Sequence, residues 1–126
     1  MSIVADKYRG SRAYLLVHSE MIQAARFKGV TTYQAIAEIM GLPLTGNYMA
    51  QETGHILGEI SEDELKHERP MLSALVVGTS GLPGPGFFKL ARQLGKLQDD
   101  SKEAERSFWE EEKAAVYSTW QREFKT

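Results

Sequence analysis

The stretch Arg69–Gly95, with the sequence RPMLSALVVGTSGLPGPGFFKLARQLG, decides how this chain folds. It holds the longest apolar run, Leu72–Val77, which only Ser73 interrupts. A short apolar run that ends in β-branched residues and a glycine predicts a buried strand over 71–77. The segment 81–86, GLPGPG, fits neither a helix nor a central strand, because proline lacks the backbone donor and glycine lacks stiffness. Apolar residues then return at helical spacing, so the stretch predicts a strand, a rigid loop and a helix.

Length and composition indicate one ordinary globular domain. The chain has 126 residues, of which 42% are hydrophobic and 25% charged. It has no cysteine, which excludes disulfides, thiol nucleophiles and thiolate metal sites. We therefore expect a single domain over residues 1–126, located in the cytoplasm and without contact to a membrane.

The charge is unevenly distributed along the chain. The net charge is −2, but residues 1–98 carry ten Lys and Arg against nine Asp and Glu, whereas residues 99–126 carry five against eight. An acidic C-terminal segment can hide a mildly basic body in such an average. This pattern permits a nucleic-acid partner without requiring one.

Helical periodicity fills most of the remaining chain. It predicts helices over about 11–28, from Thr31 or Thr32 to Gly41, and from about Asn47 onward. A short turn with a glycine joins the last two, which is the pattern of a helix-turn-helix. Ser61 and Glu64 form a capping-box pattern that predicts a separate helical turn over 62–68.

The two ends of the chain differ from this body. Residues 1–10 carry no helical or strand pattern and are expected to be an unanchored lead-in. Residues 99–126 contain an amphipathic helix from about Ser101 to Phe124. The predicted fold class is α+β and mostly α: a helix-turn-helix or winged-helix-like body over 11–98, a short β element with the following loop as the wing, and a C-terminal amphipathic helix.

Part of the chain resembles a known family. The block TYQAIA at 32–37, followed by Gly41, Gly54, Pro70 and the valines 76–77, resembles the winged-helix DNA-binding domain of the alkylguanine-DNA alkyltransferases and the alkyltransferase-like proteins. The resemblance covers roughly residues 30–80 and implies that the helix after the turn contacts the DNA minor groove. The family's reactive cysteine and its histidine are missing from PMLSALVV at 70–77, so the resemblance does not imply alkyl transfer. The chain is also similar to small bacterial and phage proteins without a known activity.

The Gly/Pro loop is the most site-like stretch. The start of a helix presents free N–H groups to an anion, and glycines let a phosphate approach closely. Gly84, Gly86 and Phe87 are therefore candidates for an anion-binding loop, with Lys89 and Arg92 as reinforcing cations. The alternative is that the loop only turns the chain and the phenylalanines fill the core.

The outer face of the third helix is the second candidate. We expect Asn47, Tyr48, Gln51, Glu52 and His55 on this face, where Asn and Gln could contact adenine edges and Tyr a phosphate. Cations would have to come from elsewhere in the fold, because affinity for nucleic acid depends on them. The alternative is a solvated helix face. The predicted nucleic-acid contacts are Asn47, Tyr48, Gln51, His55, Lys89, Arg92, Arg26 and Lys28, with Arg9 and Arg12 as further cations.

No motif indicates an enzyme. Ser73 lies within an apolar run without a nucleophile elbow or a spaced base. No two histidines lie three or four residues apart, and Glu64 with His67 is too little for a metal site. We expect no catalytic residue, no metal and no cofactor.

The C-terminal helix offers an alternative function. Trp109, Tyr117 and Trp120 exceed what one packed stripe needs, so they could contact a protein partner or a second copy of the chain. Equally, they could cover the Phe87–Phe88 helix. The sequence thus predicts a non-enzymatic binding module that contacts nucleic acid, with DNA preferred, through the 47–55 helix and the 83–92 loop and helix. The alternative is a protein-interaction or regulatory module that acts through the C-terminal aromatic helix.

Overall fold

The chain folds into a small, mostly helical domain. The structure is a computed structural model and describes residues 2–121. In this part of the chain five helices surround a two-stranded parallel sheet. None of the helices described is long and apolar enough to cross a membrane. In chain order the elements are α1 (Arg12–Arg26), β1 (Thr31–Thr32), α2 (Tyr33–Met40), α3 (Asn47–Lys66), a 3₁₀ helix (Leu72–Leu75), β2 (Val76–Val77), α4 (Pro85–Gln93) and α5 (Lys102–Trp120).

Local capping signals fix most of the helix ends. Ser11, Thr32 and Ser101 each accept a hydrogen bond from the N–H three residues later, at the starts of α1, α2 and α5. Gly41 ends α2 in the left-handed conformation, with φ of 75°. These boundaries confirm the prediction from periodicity, and they show that Thr32, not Thr31, caps α2. The predicted last residues of the C-terminal helix, beyond 121, lie outside the described residues.

The predicted strand over 71–77 is only partly correct. Only Val76 and Val77 form a strand, which pairs in parallel with Thr31 and Thr32. Residues 72–75 instead form a buried 3₁₀ helix among α1, α3 and α5. Side chains, rather than a second strand, satisfy its backbone: Trp109 Nε1 donates to the Ala74 carbonyl at 2.8 Å. The described residues therefore do not show a winged-helix arrangement.

The predicted break at Ser61 is wrong, because α3 continues without interruption to Lys66. Ser61 is buried inside the helix, five residues before its end, and its hydroxyl donates to the Ser73 hydroxyl at 2.8 Å. Glu64 is also buried, with its carboxylate against His18 and Arg69. Tertiary partners thus take both side chains that would have formed the capping box.

Helix α5 belongs to the core. Trp109 is 4% exposed and Val116 is fully buried, both within the same cluster as the 3₁₀ helix. Tyr117 donates its hydroxyl to the Gly29 carbonyl at 2.8 Å, and Trp120 is half-buried beneath the Arg69 guanidinium. These aromatic residues contact Ala74, Gly29 and Arg69 of the domain, whereas the second interpretation from the sequence placed them over the Phe87–Phe88 helix.

Replacement of Trp109 should therefore destabilise the whole domain. We expect Trp109→Ala to lower the free energy of unfolding by about 3–5 kcal/mol, because it leaves a cavity and removes the donor to Ala74. Urea unfolding measures this, with Ser107→Ala at an exposed position of the same helix as the control. A loss no larger than that of the control would contradict a core role for α5.

Candidate functional site

An open groove lies between α3 and α4. It has a volume of about 680 Å³. Helix α3 contributes Gly54 and Gly58, α4 contributes Phe87 and Leu90, and the N-terminal residues Ile3–Ala5 close one end. The groove therefore joins the two segments that the sequence singled out, the 47–55 helix and the 83–92 loop and helix.

Glycines make room for this groove. A Cβ at Gly54 would meet nothing within 4 Å, so the surface of α3 is open there. A Cβ at Gly58 would lie 3.5 Å from the Val4 side chain. Glycine inside a helix costs about 0.5–1 kcal/mol relative to alanine. Helix α3 carries Gly54 and Gly58 on the side that faces the groove, and the absence of side chains at these two positions contributes space to the groove.

Tyr33 holds the Gly/Pro loop against the start of α2. Its hydroxyl accepts a hydrogen bond from the Gly84 N–H at 2.7 Å, and a Cβ on Gly84 would lie 3.3 Å from the same oxygen. Burial raises the pKa of Tyr33, and the hydrogen bond from Gly84 opposes the rise without reversing it. Tyr33 thus fixes the loop wall of the groove.

Some of the N–H groups of the predicted anion-binding loop already have acceptors within the protein. The Gly84 N–H donates to Tyr33, the Phe87 N–H donates to the Gly84 carbonyl, and Pro85 has no N–H. Phe87 is buried and forms part of the apolar wall. The structure places Gly84, Gly86 and Phe87 together at the groove, but with fewer free donors than the sequence suggested.

Lys89 is the groove's basic side chain. It is exposed at the rim, and among residues 2–121 no Asp or Glu lines the groove. His55 also lines the groove, but its Nε2 lies 2.8 Å from the Ala5 carbonyl oxygen. A ligand in the groove would therefore meet one free positive charge and no opposing carboxylate.

The other predicted cations lie elsewhere. Arg92 donates to Glu105 at 2.9 Å and to the Asp99 carbonyl at 3.0 Å, which binds α4 to the start of α5. Arg26 and Lys28 are exposed at the end of α1 and do not line the groove. Arg9 pairs with acids, as described below. The sequence missed these pairings because the partners are distant along the chain.

Fewer of the predicted residues lie on the exposed outer face of α3 than the sequence suggested. Asn47, Tyr48 and Gln51 are exposed, as expected. Glu52 is buried, which corrects its assignment to this face. Its carboxylate accepts the Tyr8 hydroxyl and pairs with Lys7 at 2.6 Å. The hydrogen bonds from Lys7 and Tyr8 lower the pKa of Glu52.

The prediction of an unanchored lead-in is wrong. Residues 2–9, here called the N-terminal strap, lie along α3. Glu59, which has no exposed surface, accepts the N–H groups of Lys7, Tyr8 and Arg9 at 2.9–3.0 Å. Glu62 accepts the N–H groups of Ile3 and Val4. Glu52, Glu59 and Glu62 recur at helical spacing beside the apolar stripe of α3, and that spacing is the signal that could have revealed this face.

The Arg9 guanidinium completes the attachment of the strap. It donates to Glu62 at 2.7 Å, to Asp63 at 3.0 Å and to Asp6 at 2.6 Å. Burial alone would raise the pKa of Glu62, but the hydrogen bonds from the Ile3 N–H, the Arg9 side chain and the Val4 N–H outweigh it and lower the pKa. Arg9 is therefore not available to a phosphate.

A fourth buried carboxylate of α3, that of Glu64, joins α1 to the end of α3. Glu64 lies 2.6 Å from His18 Nε2 and also accepts from Arg69. Burial opposes the charge of Glu64, yet the bonds from His18 and Arg69 lower its pKa. The partner of His18 lies 46 residues further along the chain, so the periodicity of α1 could not reveal this pairing. Residues 2–121 contain no group of three or more His, Asp or Glu side chains arranged to hold a metal ion.

Removal of the Tyr33 hydroxyl should loosen the loop wall. We expect Tyr33→Phe to lower the free energy of unfolding by about 1 kcal/mol and to accelerate amide exchange at Gly84, because the Gly84 N–H loses its acceptor. Hydrogen exchange by NMR measures the second effect directly. Tyr48→Phe, at an exposed position, is the matched control. Unchanged exchange at Gly84 would show that the hydroxyl does not hold the loop.

The chain was also compared with known proteins. No family model, curated protein or solved structure matches it. The function of the groove must therefore be inferred from its own residues and geometry.

Proposed function

We propose that this chain is a non-enzymatic binding module whose ligand lies in the groove between α3 and α4. The proposal rests on an open groove of about 680 Å³ with apolar walls and, among the described residues, one free cation at its rim. Sites for small ligands have volumes of about 300–1,000 Å³, mostly apolar walls and few polar groups. The groove has each of these properties.

The lining indicates the chemistry of the ligand. Met49, Leu57, Phe87 and Leu90 supply an apolar wall, which favours an apolar body. Lys89 at the rim favours a carboxylate, sulfonate or phosphate at one end of that body. No acid in the lining opposes such a group. The proposed ligand is therefore an amphipathic anion.

The polar groups of the groove also support binding without catalysis. Thr53 donates its hydroxyl to the Met49 carbonyl at 2.8 Å, and Ser73 is hydrogen-bonded to Ser61. His55 faces the Ala5 carbonyl. A nucleophile needs an adjacent base within hydrogen-bond reach. The hydroxyl and imidazole groups of the lining are paired within the protein instead.

Filling the groove should abolish binding without harming the fold. We expect Gly54→Leu to weaken binding of anilinonaphthalene sulfonate, an apolar dye with one anionic group, by at least about tenfold, because the new side chain enters the open groove. The fold should persist, since leucine favours a helix over glycine by roughly 0.5–1 kcal/mol. Dye fluorescence titration and urea unfolding measure the two effects.

Two further variants sharpen the dye experiment. Ala115→Leu adds a leucine at an exposed position of α5 away from the groove and should bind the dye like the natural chain. Lys89→Gln should weaken binding about fivefold, the effect of one exposed charge of about 1 kcal/mol. Equal dye binding by the natural chain and by Gly54→Leu would overturn the proposed site.

Nucleic acid is the second candidate ligand. Asn47, Tyr48 and Gln51 are exposed on the same turns of α3 as the groove residues Ala50 and Gly54. The resemblance of residues 30–80 to the alkyltransferase DNA-binding domain also favours this partner. Arg9 and Arg92 are paired with acids, so few phosphate contacts are available and the dependence on salt should be shallow.

A titration decides this second candidate. This candidate requires single-stranded or duplex DNA or RNA to bind at low salt with Kd below ~10 µM, and Lys89→Gln to reduce the salt slope by about one unit. Lys102→Gln, which changes a fully exposed lysine of α5, is the control. If no nucleic acid shows salt-dependent binding in fluorescence anisotropy, this candidate is excluded.

The protein-interaction alternative has less support. Trp109 and Tyr117 use their polar atoms within the domain, and Trp120 packs beneath Arg69. In the described part of α5 the exposed residues are charged, polar or alanine, so they offer a partner no exposed aromatic side chain.

A further inference from the structure

We propose that the N-terminal strap, residues 2–9, is a hinged wall that closes one end of the groove, and that the carboxylates of α3 form its latch. The effect of the strap on a ligand rests on the proposed function of the groove. The opening of the strap itself does not, because it can be measured without any ligand.

The strap is attached mainly through charged hydrogen bonds. Its N–H groups donate to the side chains of Glu59 and Glu62, not to the backbone of a strand or helix. Its apolar contacts with the core come from Val4 and Tyr8, whereas Ile3 is exposed. Hydrogen bonds to ionised groups are stronger than neutral ones, but they depend on the charge. The strap can therefore detach when the carboxylates lose their charge or find other partners, while the apolar core stays intact.

A hinge lies at the end of the strap. Gly10 has a φ of 80°, and a Cβ there would meet nothing within 4 Å. The next residue, Ser11, caps α1 through its side chain. Glycine reaches both halves of φ space with little strain, so Gly10 can rotate once the two bonds that the Ser11 N–H and hydroxyl donate to the Tyr8 carbonyl are broken.

Opening of the strap would extend the groove. Ile3, Val4 and Ala5 line its end, and the Val4 methyl groups lie against Gly58. Their removal would uncover the surface of α3 at Gly58 and leave Glu59 and Glu62 facing the open end. A longer ligand could then lie further along α3. The strap would therefore limit the length of ligand that the closed groove accepts.

The charges around the latch set its response to pH. Glu62 is faced by Arg9 and Lys66, and its pKa is lowered mainly by the bonds from the strap. Because the pKa of Glu62 is lowered on folding, its carboxylate is charged and holds the strap N–H groups at any pH above the ordinary pKa of 4.5. As the pH falls through the lowered pKa, the carboxylate loses its charge and releases the strap. The latch should therefore be closed at neutral pH and open in acid. The other charged or titratable groups that face it are Asp6, Lys7, Tyr8, Tyr14, Tyr48, Glu52, His55, Glu59 and Asp63.

Amide hydrogen exchange of the full chain tests the latch. In the Glu62→Gln variant at pH 7, we expect the protection factors of Ile3 and Val4 to fall about tenfold or more, because their N–H groups lose the charged acceptor. The protection of Tyr8 and Arg9, whose N–H groups donate to Glu59, should fall with them, because the strap opens as one unit and Arg9 also loses its ion pair with Glu62. Val17 and Ile60 in the core should keep their protection. The natural chain should show the same selective loss as the pH falls from 7 through the lowered pKa of Glu62.

A matched acid-to-amide change on another helix serves as the control for Glu62→Gln. Glu111→Gln neutralises an exposed acid of α5 and should leave strap exchange unchanged. If strap and core amides lose protection together in Glu62→Gln, the strap is part of the cooperative core and the proposal is wrong. Unchanged strap protection in that variant would also overturn it, because the carboxylate would then not be the latch.

Dye binding separates this proposal from the function of the groove. If the natural chain binds no anilinonaphthalene sulfonate although the strap amides are selectively released, the proposed ligand site fails and the latch stands. If the dye binds, we expect its Kd to change at least threefold in Glu62→Gln. An unchanged Kd in a variant whose strap is open would show that the strap is not a wall of the groove.

Discussion

The pairing of buried carboxylates on α3 is the interaction on which the rest of the structure depends. Glu52, Glu59, Glu62 and Glu64 are all buried, and an ionised carboxylate removed from water is costly unless it is paired and hydrogen-bonded. Each finds its partners in another part of the chain: the strap for the first three, and α1 with Arg69 for the last. These pairings fix α3 as the central helix and hold the N-terminus against it.

The same principle places Met71–Leu75 in the interior. This segment has no strand partner, and its backbone would be unsatisfied among three helices without side-chain help. Glu112 accepts the Met71 N–H at 2.8 Å, Ser61 accepts the Ser73 N–H, and Trp109 donates to Ala74. The most apolar stretch of the chain is therefore held by polar side chains from α3 and α5. Its role is that of a scaffold, and the groove lies beside it.

The position of the groove depends on how the strap and α4 are held in place. Strap residues close its end because the carboxylates hold them there, and α4 forms its other wall because Arg92 binds the start of α5. Lys89 remains free at the rim because it lies outside these networks. A site with one free cation and apolar walls suits an amphipathic anion better than a duplex. The distribution of ion pairs thus decides what the surface can offer to a ligand.

The sequence by itself determined the local features of this protein. Ser11, Thr32, Gly41 and Ser101 mark helix ends because capping involves residues at most a few positions apart. The apolar spacing of α1, α2 and α4 likewise located their buried faces, and the same glycines and Phe87 that drew attention to 83–92 do line the groove.

Only the tertiary structure decided the rest. The positions of the strap and of the 3₁₀ segment depend on partners in other elements, such as Glu62 for Arg9 and Trp109 for Ala74. The same holds for Arg92, which is paired with Glu105 of α5. An acid on a helix has the same local pattern whether it faces water or accepts the backbone of a distant segment. The choice depends on which groups the fold brings within hydrogen-bonding distance, and that information is absent from the periodicity of any single stretch.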